Sequence, residues 1–227
     1  MRQHLIIDAD DTLWENNIYF ERAFDEFVEF LSHSTLSPQQ VRDVLDAIER
    51  VNAQLHGYGS LNFGRNLRQC YERLAERAIA DADLKTVMRF AERILEQPVE
   101  VLAEVPETLA YLSQRHELTL FTKGDRDEQQ LKVDRSGLAE FFTHVGIVRE
   151  KNADAYRELV SVRGMEPSRA WMIGNSPKSD VNPALEAGLN AVLVPHDRTW
   201  VLEKEDLRPG EGRLLIVERF SGLREHF

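Results

Sequence analysis

The sequence predicts an α/β fold: a parallel sheet with helices on both faces, interrupted after its first strand by a helical insert. Three observations carry this reading. An apolar run, Leu5 to Ile7, stops abruptly at Asp8. From Asn17 to about Gln97 apolar residues recur at helical spacing with no convincing strand. After Pro98 the pattern changes to short alternating runs separated by helical segments, the order expected of a parallel sheet with right-handed crossovers.

Each element follows from its own pattern. "LIID" reads as a buried strand that runs into the acids Asp8, Asp10 and Asp11. In the insert, Phe20, Phe24, Phe27, Phe30 and Leu31 share one helical face, as do Val41, Leu45 and Ile48, then Leu67, Cys70, Tyr71, Leu74 and Ala78. Ser37-Pro38 is a helix start, a capping hydroxyl followed by proline in the first turn. "HGYGSLNFGRN", with glycines at 57, 59 and 64, is expected to be a loop between helices of the insert. Further strands are expected at Glu117–Thr122, His144–Val148, Ala170–Asn175, Asn190–Pro195 and Arg213–Glu218. Helical stretches such as "DEQQLKVDRSG", "NADAYRELVSVRG" and "DVNPALEAG" lie between most of them. The division is a core of residues 1–16 and 98–227 with a helical cap of 17–97, linked near Trp14 and Val101.

Composition sets the functional limits. The formal charge of −11 argues against binding a phosphate backbone and for a freely soluble protein. Cys70 is the only cysteine, which leaves no disulfide framework and no cysteine zinc site. No stretch approaches the roughly 20 apolar residues of a membrane helix. The N-terminus lacks a signal-peptide pattern. The expectation is a cytoplasmic monomer or homodimer with no nucleic-acid or membrane partner.

Ligands of open α/β sheets bind beyond the carboxyl ends of the strands. Those ends carry Asp8, Thr122 and Asn175, with Asp180 five positions further on and Lys151 just after "VGIV". The acids after the first strand are either a solvated turn or the surroundings of a cation.

The order Asp8-x-Asp10-x-Thr12 after an apolar strand, then Thr122, Lys151 and Gly174-Asn175 with Asp180, resembles the four motifs of the haloacid dehalogenase superfamily. The resemblance spans nearly the whole chain and includes a cap between the first and second motifs. It implies a Rossmann-like core and, in the phosphatase-like branch, Mg²⁺-dependent hydrolysis of a small phosphorylated metabolite.

The residue chemistry agrees with that implication. Asp8, at a strand end, is a competent nucleophile toward phosphorus and would form an aspartyl-phosphate. Asp10, two residues on along an extended segment, would serve as general acid and then base, its pKa raised by neighbouring acids. Mg²⁺ takes hard oxygen ligands; the resemblance assigns them to Asp8, the Asp10 carbonyl, Asn175 and Asp180. Thr122 would donate to a phosphoryl oxygen, and Lys151 would neutralise charge at Asp8 and the phosphate. Lys123 should point off the face opposite Thr122, and Lys132 sits mid-helix, so Lys151 is preferred for that role. Asp11 is expected to be an exposed turn acid or a helix cap.

Two positions depart from the family pattern: Asn175 where an acid is usual, and Asn152 where proline usually follows the lysine. The missing charge at Asn175 bears on metal affinity. Members that cleave carbon–halogen bonds characteristically lack the second acid of the first motif, so Asp10 favours phosphate esters. A phosphomutase, or a non-catalytic phospho-acceptor or binding protein, are the other readings. Tyr58, Asn62 and Arg65, on the glycine-punctuated loop, and Lys123 are the candidate substrate contacts. Phe20 and Phe24 are candidates for a pocket lining or for core.

Overall fold

The computed structural model describes residues 2–227. A six-stranded, wholly parallel sheet has the order β3-β2-β1-β4-β5-β6. Its strands are β1 (His4–Ile7), β2 (Glu117–Lys123), β3 (His144–Val148), β4 (Ala170–Gly174), β5 (Asn190–Leu193) and β6 (Leu214–Ile216). Leu5, Ile6 and Ile7 are fully buried, as expected where helices cover both faces of a sheet. Strand order reverses at β1, with β2 on one side and β4 on the other, and that reversal opens a crevice at the carboxyl ends.

Helices α1 (Asn17–Leu31), α2 (Pro38–His56), α3 (Ser60–Leu74) and α4 (Asp81–Glu92) follow β1. The crossover helices are α5 (Val105–Ser113), α6 (Arg126–Ser136), α7 (Ala153–Arg163) and α8 (Asn182–Glu186). The sequence pattern did not single out α5, whose Val105, Thr108, Leu109 and Leu112 are buried at helical spacing. The chain divides into two compact units, one of Ile18–Pro98 and one of the segment ending at Asn17 with Val99–Phe227.

Within the sheet unit, the two links to the insert pair with each other. Trp14 bridges Val101 antiparallel, Glu15 N donates to Glu100 O, and Leu102 N donates to Leu13 O. Trp14 itself is fully buried.

The helical unit has its own core of Phe24, Phe27, Leu45, Phe63, Leu67 and Tyr71. Phe20 packs edge-on against Phe63, ring centroids 5.1 Å apart, so Phe20 and Phe24 belong to this core. Ser37 and Gln40 form a reciprocal capping box at the start of α2.

The expected long loop after His56 is a correction. Only 57–59 separate α2 from α3, and the third glycine, Gly64, lies inside α3. A Cβ there would lie 3.0 Å from Met88 Cε, so Gly64 serves close packing against α4 rather than a turn. Asn62 and Arg65 are therefore helical: Asn62 Nδ2 donates to His56 O, and Arg65 donates to Asn62 Oδ1.

Glu49 is a buried acid in this core, and its Oε2 has no hydrogen-bond partner among the described residues. Burial, with Asp46 and Glu21 nearby, pushes its pKa up to about 8 against the pull of Arg42 and Asn66. A folded-state pKa above the unfolded value means stability falls as pH rises from the unfolded pKa to about 8. Glu49→Gln is expected to leave the melting temperature unchanged near pH 4 and to raise it progressively toward pH 8.5. Melting curves of both proteins across this range check it; a pH-independent difference would contradict the assignment.

Candidate active site

The site forms at the strand-order reversal. Asp8 N donates to Ile173 O at 2.9 Å, so the residue after β1 still belongs to the β1–β4 ladder and its backbone is fixed. Lys151 follows β3 and is buried. Its Nζ lies 2.5 Å from Asp8 Oδ1 and 2.6 Å from Asp180 Oδ1. Asn152 takes the position after it as the cap of α7, accepting from Ala155 N at 2.9 Å. Burial and the Asp180 charge push the Asp8 carboxyl up to about 7, while Lys151 pulls the other way.

The turn after β4 is built around Asp180. A Cβ on Gly174 would lie 2.2 Å from Asp180 Oδ2, so only glycine admits this carboxylate. Ser176 N donates to that same oxygen at 2.9 Å. Both oxygens of Asp180 are thus engaged, one by Lys151 and one by the backbone.

Asn175 faces the other oxygen of the nucleophile candidate. The Thr12 hydroxyl lies 3.1 Å from Asp8 Oδ2 and 3.3 Å from Asn175 Oδ1. Thr199 fixes which way the amide points: its hydroxyl donates to His196 O, leaving its oxygen to accept from Asn175 Nδ2 at 3.1 Å. The amide oxygen is thereby directed to the Asp8 side.

Asp10 stands in a second cluster. Lys132 Nζ is 2.6 Å from both of its oxygens, Gln129 Nε2 is 2.8 Å from Oδ2, and Trp14 Nε1 is 2.8 Å from Oδ1. Burial alone would raise this carboxyl, but Lys132 and the neutral donors outweigh it and hold the pKa below the usual carboxylate value. The expected upward shift at Asp10 is therefore corrected, because a cation sits closer to it than any acid does.

Comparison with known proteins fits this arrangement. Residues 3–188 match the haloacid dehalogenase-like hydrolase family. The chain belongs to that family. A solved haloacid dehalogenase-like hydrolase from Xanthomonas campestris superposes with a TM-score of 0.85 at 31% identity, covering 99% of this chain and 90% of that one. A phosphoserine phosphatase from Thermus thermophilus is 32% identical over 131 residues, 54% of this chain and 49% of that protein. A glyceraldehyde 3-phosphate phosphatase from Methanothermobacter thermautotrophicus is 26% identical over 134 residues, 55% of this chain and 59% of that protein. The match spans about half the length of these curated relatives.

In this haloacid dehalogenase-like chain Thr122 is buried at the end of β2, on the strand next to Asp8. Lys123 does not stay clear of the site. Its long stem carries Nζ to 2.7 Å from Ser179 Oγ and 2.7 Å from Glu203 Oε1. Glu203 in turn accepts from Ser176 Oγ at 2.6 Å, so Lys123 and Glu203 brace the turn that carries Asp180. Sequence reasoning missed Glu203 because it sits in the long connection between β5 and β6, outside every motif. It also set Lys132 aside, although Gln129 and Lys132 lie three apart on one helix and so share a face. Tyr58, Asn62 and Arg65 belong to the helical unit.

Asp11 is a cap but is not exposed. It adopts a left-handed backbone (φ 58°), and its Oδ1 accepts from Asn16 N and Asn17 N where α1 begins. With Glu15 and His196 it forms a group with the spacing of a metal site. His196 Nδ1 accepts from Arg198 N, however, which places the ring proton on Nε2 facing Glu15, 3.7 Å away. The His196–Glu15 approach is a loose ion-pair contact and not a hydrogen bond, since Glu15 Oε2 has no hydrogen-bond partner among the described residues. Among the described residues no helix is long and apolar enough to cross a membrane.

Removing Lys151 would leave Asp8 and Asp180 buried together without a cation. Lys151→Met is expected to destabilise the protein by about 3–5 kcal/mol at pH 8. The loss should shrink toward pH 5, where one of the two acids takes a proton and the repulsion ends. Melting temperatures of the variant at both pH values check this; an equal loss at each would contradict it.

Proposed function

We propose that this protein hydrolyses a small phosphate monoester with Mg²⁺, through an aspartyl-phosphate on Asp8. The observation that supports this most is the Asp8–Lys151–Asp180 cluster at the strand-order reversal, with the second acid, Asp10, two residues on. The phosphatases among its relatives act on small phosphorylated compounds, in line with this reading. Asp10 also sets it apart from carbon–halogen cleavage, which makes no use of an acid at that position.

The donor set suits a hard cation. Asp8 Oδ2 and Asn175 Oδ1 both face the Thr12 hydroxyl and are oxygen ligands. With Asp8 and Asp180 ionised and Lys151 protonated, the cluster carries one net negative charge. Asp8, the Asp10 carbonyl and Asn175 would hold Mg²⁺. Asp180, with both oxygens engaged, would act from behind by fixing Lys151 and the turn. When bound, the ion supplies charge neutralisation for the phosphate.

The chain's own residues then divide the work. Asp8 attacks phosphorus, its carboxylate oxygen forming the new bond as the bond to the leaving oxygen breaks. Asp10, ionised at rest, must first take up a proton from solvent as its donors loosen, and it gives that proton to the departing alkoxide. In the second half it takes one from the water that attacks the phospho-enzyme, and phosphate leaves with Asp8 restored. Lys151 neutralises charge as it builds on Asp8 and the transferring group. Thr122, whose hydroxyl makes no hydrogen bond to another described residue, donates to a phosphoryl oxygen. Lys123, braced by Glu203, contacts the remainder of the substrate at the same rim, and Tyr58, Asn62 and Arg65 of the helical unit are left as specificity candidates.

A panel of phosphate monoesters assayed with Mg²⁺ and with EDTA tests this reading. Turnover is expected only with the metal. Asp8→Asn should abolish it while leaving the circular dichroism spectrum intact, and Asp10→Asn should be severely impaired with alkyl leaving groups. An Asp8→Asn protein within about tenfold of wild type, a barrier change of only ~1.4 kcal/mol, would make the assignment wrong.

A further inference from the structure

Asp10 has more donors than an acid/base can hold while it works. A carboxylate offers about four acceptor positions, two on each oxygen. Here Oδ1 accepts from Trp14 Nε1 and Lys132 Nζ, and Oδ2 accepts from Gln129 Nε2 and Lys132 Nζ. Every acceptor position is filled, so neither a leaving-group oxygen nor a water can engage Asp10 until one donor lets go. The donors are not equal. Lys132 is a charged donor bonded to both oxygens and is itself held by Asn16 Oδ1 at 3.1 Å. The Trp14 indole is locked in the core. Gln129, although buried, is a neutral amide whose second hydrogen bond, to Lys123 O, is 3.1 Å long. Charge-assisted bonds are roughly twice as strong as neutral ones, so Gln129 is the donor that yields.

We propose that Lys132 is the positioning residue of Asp10: together with Trp14 it holds the carboxylate in a latched resting state, and Gln129 is the gate whose departure opens Oδ2. The proposal rests on Asp10 being the acid/base of the phosphatase reading. It makes Lys132 matter most in the second half of the reaction, where Asp10 must be held as an acceptor for the attacking water. A good leaving group such as nitrophenolate needs little help from an acid, so formation of the phospho-enzyme should depend on Lys132 far less.

Rapid-mixing kinetics with p-nitrophenyl phosphate and Mg²⁺ on wild type, Lys132→Met, Lys132→Arg and Gln129→Met separate these steps. Lys132→Met is expected to give a burst of one nitrophenolate per active site followed by a steady state slowed more than about tenfold. Lys132→Arg should return the steady state to within about threefold of wild type, because a guanidinium also grips both carboxylate oxygens. Gln129→Met, which removes the donor that must let go, should speed the steady state rather than slow it, because Oδ2 is then open from the start. A Lys132→Met protein that slows burst and steady state alike, or neither, would overturn the proposal, and so would a loss in Gln129→Met as deep as in Lys132→Met. A crystal structure of Lys132→Met reads the latch without activity: Asp10 should turn away from Trp14 and Gln129. An unmoved carboxylate would refute the latch, whereas a wild type inactive on every monoester would refute the phosphatase reading and leave this structural comparison decisive for the latch.

Discussion

Two like-charged carboxylates, Asp8 and Asp180, are buried at the ends of neighbouring strands, and one ammonium lies between them. Lys151 at 2.5 Å and 2.6 Å makes that arrangement possible. Placing charge in a poorly solvated interior costs several kcal/mol per ion unless the geometry and remaining hydrogen bonds are good. The surroundings are built to meet that demand. Gly174 leaves room for Asp180, Ser176 N binds its second oxygen, and Thr12 donates toward Asp8. Each of these follows from having to hold two carboxylates and an ammonium in a buried place.

Lysine placement separates the candidate site into three adjoining ion-pair systems. Lys151 serves Asp8 and Asp180, Lys132 serves Asp10, and Lys123 serves Glu203. A chain with a net charge of −11 has acids in surplus, yet it commits a buried or half-buried lysine to each of these systems. The consequence for Asp8 and Asp10 is opposite. Burial and the neighbouring Asp180 charge keep the Asp8 pKa raised, whereas at Asp10 a lysine to itself and neutral donors outweigh burial and lower it. Two neighbouring carboxylates are thereby given different proton affinities, Asp8 the higher, and a cation bound at Asp8 would bring that carboxyl down.

Much of this was legible in the sequence, for physical reasons. Parallel strands in a covered sheet read as apolar runs, so β1 to β6 all stood out, and strand ends mark where a ligand can sit. That placed Asp8, Thr122 and Asn175 at one rim, and Lys151 came with them. What escaped depends on side-chain reach and on the far ends of contacts. Lys132 is an ordinary helical lysine until its ammonium meets Asp10, and Glu203 belongs to a connection with no periodicity. The three-glycine stretch misled because glycine serves two physical ends: Gly57 and Gly59 have the positive φ of a turn, whereas Gly64 admits a neighbouring helix. The Asp10 shift was misjudged because nearby acids are visible in sequence and a cation 122 residues away is not.

The most direct measurement is the location of the phosphoryl group during turnover. Enzyme mixed with excess phosphate monoester and Mg²⁺, quenched in acid and digested, can be mapped by peptide mass spectrometry. The expected result is a phosphorylated Asp8 in the peptide that contains Gln3 to Trp14, lost again once substrate is exhausted. Turnover without a covalent adduct, or a phosphoryl group on any other residue, would contradict the central claim that the Lys151-held carboxylate of Asp8 is the nucleophile.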